Sequence, residues 1–257
     1  MDIQPGQVIL VGAGPGAADL LTLRAVRALA AADVVVHDGL IGADVMALIP
    51  ATARRIDVSK RRARHTLPQD EIGALLVREA QAGHLVVRLK GGDPFIFGRG
   101  GEEVDACIAA GVPVAAVPGI SAANGAAASL LLPLTHRDLA STVSFVAGEC
   151  RGLAAQNWAG LAGKGRTLVI YMGLAGAGAI SEKLMADGLA PDTPVAVVER
   201  ATQANERLVT SLLADLAGLV ARAGIASPAL IIVGDVATRA RQEQRHPAQE
   251  ELPCPAC

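Results

Sequence analysis

The sequence predicts an α/β protein built from two α/β domains, and three observations carry that expectation. Apolar runs rich in Val and Ile alternate with segments of helical period through the first half. Around Pro133–Ser141 the composition turns polar and charged, and beyond it a second series of strand-like runs begins. Finally, 51% of the chain is apolar but only 2% is aromatic, so the core must be made of Ala, Val, Leu and Ile, as in layered α/β proteins. The expected organisation is an N-terminal domain over 1–133, a C-terminal domain over 134–238 and a flexible tail over 239–257.

In chain order, strands are expected at Val8–Val11, Asp33–His37, Ile56–Val58, Leu85–Leu89 and Val112–Val117. Helices are expected at Leu20–Ala31 and Pro68–Gly83. In the second of these, Ile72, Leu75, Leu76 and Ala80 share one face and Gly83 supplies the stop. Strand, helix, strand in this rhythm makes a parallel sheet covered by helices. Past the break, strands are expected at Thr142–Ala147, Thr167–Met172, Pro194–Glu199, Arg207–Thr210 and Ala229–Val233, with helices at Ala179–Ala186 and Leu212–Ala223. Beyond Thr238 the chain is polar and broken by proline, with no apolar face to dock.

A formal net charge of -2 argues against duplex nucleic acid as partner, which demands a basic excess. The longest uncharged stretch, Ala109–His136, is interrupted by Pro113, Pro118, Gly119 and Pro133 and cannot be one membrane-spanning helix. Asp2, Gln4 and Pro5 stand where a secretory signal would be basic and then apolar, so a cytoplasmic protein is expected. Cys254 and Cys257 form a C-x-x-C pair without a second pair or a nearby His, which reads as two thiols in a tail; no metal site is expected.

The first strand runs into Gly12-Ala13-Gly14-Pro15-Gly16. The spacing is wrong for a dinucleotide fingerprint, since the third glycine arrives one residue early and Pro15 removes a donor from the turn. The densest unusual segment is KGGDPFIFGRGGEE at Lys90–Glu103, which follows a strand, leads into a helix and holds two of the three phenylalanines. Its place at a carboxyl end of the sheet is where open α/β sheets bind ligands, and its glycines permit close backbone approach. A tight turn with acidic residues at a helix start would produce part of this pattern. The phenylalanines beside Lys90, Asp93 and Arg99 favour a site.

That segment, with VGAGPG at Val11–Gly16, PGISAANGAAA at Pro118–Ala128 and PLTHRD at Pro133–Asp138, resembles the uroporphyrinogen-III C-methyltransferases of the tetrapyrrole methyltransferase family. The likeness runs from about Val8 to about Val236 and keeps the motif order. It implies the tetrapyrrole methylase fold, two α/β domains with a cofactor cleft between them, a homodimer, and S-adenosyl-L-methionine as methyl donor, leaving as S-adenosyl-L-homocysteine. It assigns the cofactor to Pro15, Gly91, Gly92, Asp93, Ile96, Ser121 and Ala122, joined by Met172, Ala201 and Ala229 from the second domain. Ser121 stands where the family has Thr, which keeps the hydroxyl.

The same resemblance makes Asp38 the proton acceptor and Lys60 the proton donor. Each follows a strand, so both should emerge at one end of a parallel sheet. Methylating a pyrrole carbon creates a cation that must shed or redistribute protons, which positioned acid and base groups assist. The basic run Lys60-Arg61-Arg62-Ala63-Arg64-His65 suits a substrate bearing eight carboxylates better than nucleic acid, because the chain has one Trp and one Tyr to stack on bases. Arg61, Arg99 and Glu102 are the candidate substrate contacts. The implied activity is conversion of uroporphyrinogen III to precorrin-2 by two methylations, in sirohaem or cobalamin synthesis.

Overall fold

The computed structural model describes residues 3–59, 68–148 and 157–241, in which the chain forms two five-stranded sheets. The first holds β1 (Val8–Gly12), β2 (Val34–His37), β3 (Arg54–Asp57), β4 (Val86–Lys90) and β5 (Val114–Val117). Their order is β3-β2-β4-β1-β5, with every pair parallel. Successive residues of a strand face opposite sides, so a sheet covered on both sides reads as an unbroken apolar run. Ile9, Val11, Val35, Val87 and Leu89 pack on one side against α1 (Leu23–Ala31) and α2 (Ala43–Ala47). Val8, Leu10, Val34, Val36 and Val86 pack on the other against α3 (Gln69–Gln81) and α4 (Gly100–Ala109). The connections leaving β1 and β4 therefore depart to opposite faces, which opens a crevice at the carboxyl ends of those strands.

The second sheet holds β6 (Ala140–Ala147), β7 (Gly165–Tyr171), β8 (Pro194–Glu199), β9 (Arg207–Leu212) and β10 (Ala229–Val233), ordered β6-β7-β10-β8-β9. Only β6 and β7 run parallel; the other three pairs are antiparallel. One face is covered by α6 (Ala177–Ala186), α7 (Leu216–Ala223) and buried Trp158. The opposite face, with Val169, Tyr171, Val198 and Ile232, packs on Ala123 and Ala126 of α5 (Ala122–Ser129). This helix, encoded in the first half, thus packs in the core of the second sheet. No helix among the described residues is long and apolar enough to cross a membrane.

Several element bounds differ from the sequence expectation for local reasons. The helix expected from Leu20 begins at Leu23, because Thr22 caps it by accepting from Ala25 N–H at 3.1 Å, while Ala18–Leu20 form a separate 3-10 turn. The sequence predicts no helix where α5 forms, because its Ala-rich run has no apolar stripe and lies between Pro118-Gly119 and Pro133. Leu212 closes β9 instead of opening a helix, and a 3-10 turn at Leu213–Asp215 intervenes before α7. Of the tail expected from residue 239, only Arg239–Arg241 lie within the described residues, and they are held in place. Arg239 ends a 3-10 helix and Arg241 N–H donates to Leu130 O at 2.8 Å, which ties this stretch to the end of α5. Cys254 and Cys257 lie outside the described residues.

Candidate active site

Three loops meet where β1, β4 and β5 end. A Cβ built on Gly119 would lie 2.2 Å from Gly92 O and 2.8 Å from Gly12 Cα, and one on Gly12 would lie 2.5 Å from Gly119 N. Backbone packs directly on backbone here, which only glycine allows. Gly14 and Gly92 exchange backbone hydrogen bonds of 3.2 and 2.7 Å, joining the first glycine turn to the second. Asp93 completes the junction: Oδ1 accepts from Phe95 N–H at 2.9 Å and Oδ2 from Gly119 N–H at 3.1 Å. Asp93→Ala would leave both donors without this acceptor, and a loss of about 1–2 kcal/mol of stability is expected, read as a lowered melting temperature.

Around this junction the second half contributes its own residues. Pro15 sits on α5, where a Cβ on Gly125 would come within 2.5 Å of its ring. Ala17 N–H donates to Thr202 Oγ1 at 3.1 Å, and Gly16 lies against Ala201 O and Gln203. Ser121 caps α5 by accepting from Asn124 N–H at 3.3 Å, and Tyr171 Oη, at the end of β7, accepts from Ala123 N–H at 3.1 Å. Burial pushes the Tyr171 phenol above its ordinary pKa, against the opposing pull of its hydrogen bonds to Ser121 and Ala123. Phe97 stacks on Tyr171 with ring centroids 4.9 Å apart, which brings the β4–α4 loop to Met172. Phe97, Arg99, Met172, Arg200 and Thr202 hold φ between 50° and 66°, a left-handed backbone that side-chain-bearing residues keep only where the surroundings impose it.

Most of the residues singled out from sequence lie on the loops that meet at this junction or on the second-half segments beside it: Pro15, Gly91, Gly92, Asp93, Ile96, Ser121, Ala122, Met172 and Ala201. Phe95 and Phe97 are 55% and 40% exposed, and Ile96 and Met172 are also partly exposed, so this stretch leaves apolar surface open. Ala229 opens β10 opposite Glu199, at the same end of the sheet as Tyr171, but its methyl packs on the α6–α7 side. Lys60 and Arg61 lie outside the described residues. Arg99 grips Glu102 through Nε to Oε1 at 2.9 Å and Nη2 to Oε2 at 2.6 Å. These bonds hold the exposed Glu102 carboxyl below its ordinary pKa and raise that of Arg99.

Asp38 follows β2 at the carboxyl end of the first sheet, its side chain 26% exposed. Its Oδ1 accepts from Leu40 N–H at 3.0 Å, and Leu40 in turn packs on Gly91. Behind it is a charge cluster that sequence reading did not anticipate as a unit. Arg88, Lys90 and Glu103 are only 4%, 3% and 1% exposed. Arg88 Nε donates to Glu103 Oε1 at 2.9 Å, Lys90 Nζ lies 2.9 Å from Glu103 Oε2, and Arg88 Nη2 stands 3.8 Å from Asp38 Oδ2. Desolvation, then repulsion from Arg88, lowers the Lys90 pKa, while Glu103 and Asp38 oppose the shift. The available signal was Arg88 itself, a charge inside the apolar run Leu85–Leu89.

A sequence profile of the family described as Tetrapyrrole (Corrin/Porphyrin) Methylases matches residues 7–217. The siroheme synthase of Pseudomonas fluorescens (strain SBW25) is 50% identical over 233 residues, which are 90% of this chain and 50% of that protein. The siroheme synthase of Salmonella arizonae is 52% identical over 231 residues, again with 50% of its length covered. The chain thus spans about half the length of these curated relatives. Among solved structures, uroporphyrin-III C-methyl transferase from Thermus thermophilus complexed with S-adenyl homocysteine matches with TM-score 0.76 and 41% identity, covering 90% of this chain and 92% of that one. A cobalt precorrin-4 methyltransferase matches with TM-score 0.78 at 27% identity, covering 90% and 96%.

Proposed function

The chain belongs to the tetrapyrrole (corrin/porphyrin) methylases, and on that premise we propose that it is an S-adenosyl-L-methionine-dependent C-methyltransferase that converts uroporphyrinogen III to precorrin-2. The observation that carries the substrate assignment is a contrast. The precorrin-4 enzyme has a fold as similar, yet the uroporphyrin-III enzyme shares far more of the sequence, 41% against 27%. Fold alone does not choose a substrate; the residues lining the site do. The reaction fits a step toward sirohaem, and the family also serves cobalamin.

When bound, S-adenosyl-L-methionine supplies an electrophilic methyl group, so the protein's task is alignment, exclusion of water and proton handling. The glycine junction of Gly12, Gly92 and Gly119 brings backbone to the cleft floor, and Ile96, Phe97 and Met172 offer apolar surface for an adenine or a thioether. This suits the cofactor contacts Pro15, Gly91, Gly92, Asp93, Ile96, Ser121, Ala122, Met172 and Ala201, while Ala229, whose methyl packs toward α6 and α7, would take part only through its backbone. Ser121, buried, and Asp93, half-buried, hold the loops in place. Arg61 and Arg99 receive substrate carboxylates, with Glu102 orienting the Arg99 fork by its two hydrogen bonds. Asp38 accepts the one net proton that the cation formed by each methyl transfer must shed, and a proton that Lys60 adds at one atom of the macrocycle is matched by the loss of another elsewhere on it.

Purified protein given S-adenosyl-L-methionine and anaerobically generated uroporphyrinogen III should yield a product heavier by two methyl groups in mass spectrometry. No added methyl on this substrate, with methylation of a later corrinoid instead, would overturn the assignment. We further propose a cytoplasmic homodimer whose subunits each fold as two domains meeting near Pro133. Exposed Leu23, Val26 and Leu48 supply apolar surface for a subunit contact, and light scattering would give the oligomeric mass.

A further inference from the structure

We propose that Arg88, clamped by Glu103, is a positioning residue for Asp38, so that the buried charge cluster under the cleft orients the carboxylate that takes the proton. The inference rests on the reading of Asp38 as proton acceptor. Arg88 lies opposite Val36 in the β2–β4 register, two residues before Asp38. Its guanidinium is fixed on nearly every side. Nε donates to Glu103 Oε1 at 2.9 Å, and Nη1 donates to Leu89 O at 3.0 Å and Val36 O at 3.3 Å. Glu103 is itself held by Gln69 Nε2 at 3.2 Å and by Lys90 Nζ at 2.9 Å. Nη2 is left to face Asp38 Oδ2 at 3.8 Å, while the other Asp38 oxygen accepts from Leu40 N–H. One carboxylate oxygen is thus held by a hydrogen bond within its own turn, and the other faces, across 3.8 Å, a cation with little freedom to move, whose field favours one orientation of the carboxylate.

A stabilising role explains the cluster poorly. Well-packed apolar side chains of similar volume usually serve a fold as well as a buried ion network or better, and the rest of β4 is built that way with Val86, Val87 and Leu89. The charges lie in the second half of the strand, leading toward Gly91, and Asp38 is the one member of the cluster that is not buried. A guanidinium fork suits this role because its donors lie in a fixed plane, unlike a lysine ammonium.

The test is a double-mutant cycle between Arg88→Met and Asp38→Asn, measured as kcat, KM and affinity for S-adenosyl-L-homocysteine. Arg88→Met should lower kcat about ten- to a hundredfold, the range that misplacing a catalytic group by an ångström can produce, with KM and cofactor affinity little changed. Arg88→Lys should recover part of the loss. In the Asp38→Asn background the Arg88 substitution should change kcat by less than about twofold, since the residue it acts through is gone. Because Arg88→Met strands Glu103 and can unfold the protein, the charge-balanced pair Arg88→Met with Glu103→Gln is run in parallel and should show the same loss. Multiplying losses with a slow Asp38→Asn, or wild-type kcat in the balanced pair, would overturn the positioning role alone. Wild-type kcat in Asp38→Asn would instead remove the proton acceptor and overturn both readings.

Discussion

Gly119→Ala should destabilise the protein and abolish measurable binding of S-adenosyl-L-homocysteine. The added methyl would stand 2.2 Å from Gly92 O and 2.8 Å from Gly12 Cα, and every one of those atoms is backbone. A flexible side chain could swing aside, but here β1, β4 and β5 fix the loops that follow them through the parallel pairing of Val8–Gly12 with β4 and of Val8–Val11 with β5. Relief requires the loops to part, which also removes the Asp93 bond to Gly119 N–H at 3.1 Å. Overpacking of this kind costs about 3 kcal/mol, or about 6–12 °C in melting temperature for a chain of this length. Cofactor affinity should fall further than stability, because the moved loops are those proposed to hold it. Gly101→Ala is the control: nothing lies within 4 Å of its added Cβ, and in a helix alanine is favoured over glycine by about 0.5–1 kcal/mol. A Gly119→Ala protein with the wild-type melting point and cofactor affinity would show that the loops are not packed as described.

Asp38→Asn should reduce turnover by about a hundredfold or more while leaving cofactor affinity nearly unchanged. The substitution keeps the shape and the acceptor for Leu40 N–H, at 3.0 Å, but asparagine cannot take a proton at neutral pH. Asp38 also stands apart from the Gly12–Gly92–Gly119 junction, so the cofactor loops should stay in place. A purely structural Asp38 would change the melting temperature and spare kcat. Lys60→Met is the companion, since it removes charge and keeps much of the stem. If Lys60 only attracts substrate carboxylates, KM rises with little change in kcat; if it delivers a proton, kcat falls. Wild-type rates in both variants at saturating substrate would leave catalysis to alignment alone.

The cleft residues were legible as motifs because the chemistry of a site is concentrated in short stretches, as in Lys90–Glu103. What those stretches do was less legible. Glu102 and Glu103 are neighbours in sequence, yet a helix turns about 100° per residue, and they part company. Glu102 stays in solvent with Arg99, whereas Glu103 goes under the sheet to Arg88 and Lys90. Asp93 and Ser121, read as cofactor contacts, also prove to be fasteners of the loops themselves.

By itself the sequence determined the strands, most of the helices, the α/β class and the place of the glycine-rich loop, since strand and helix periods and turn residues are local properties. Tertiary structure alone decided the strand order, the antiparallel half of the second sheet, the burial of α5 between the halves and the cluster behind Asp38. The reason is distance along the chain. Arg88 meets Glu103 15 residues away and Val36 52 residues away, and Ala17 meets Thr202 across 185. Such pairs depend on how twisted sheets stack, and no window of neighbouring residues records that.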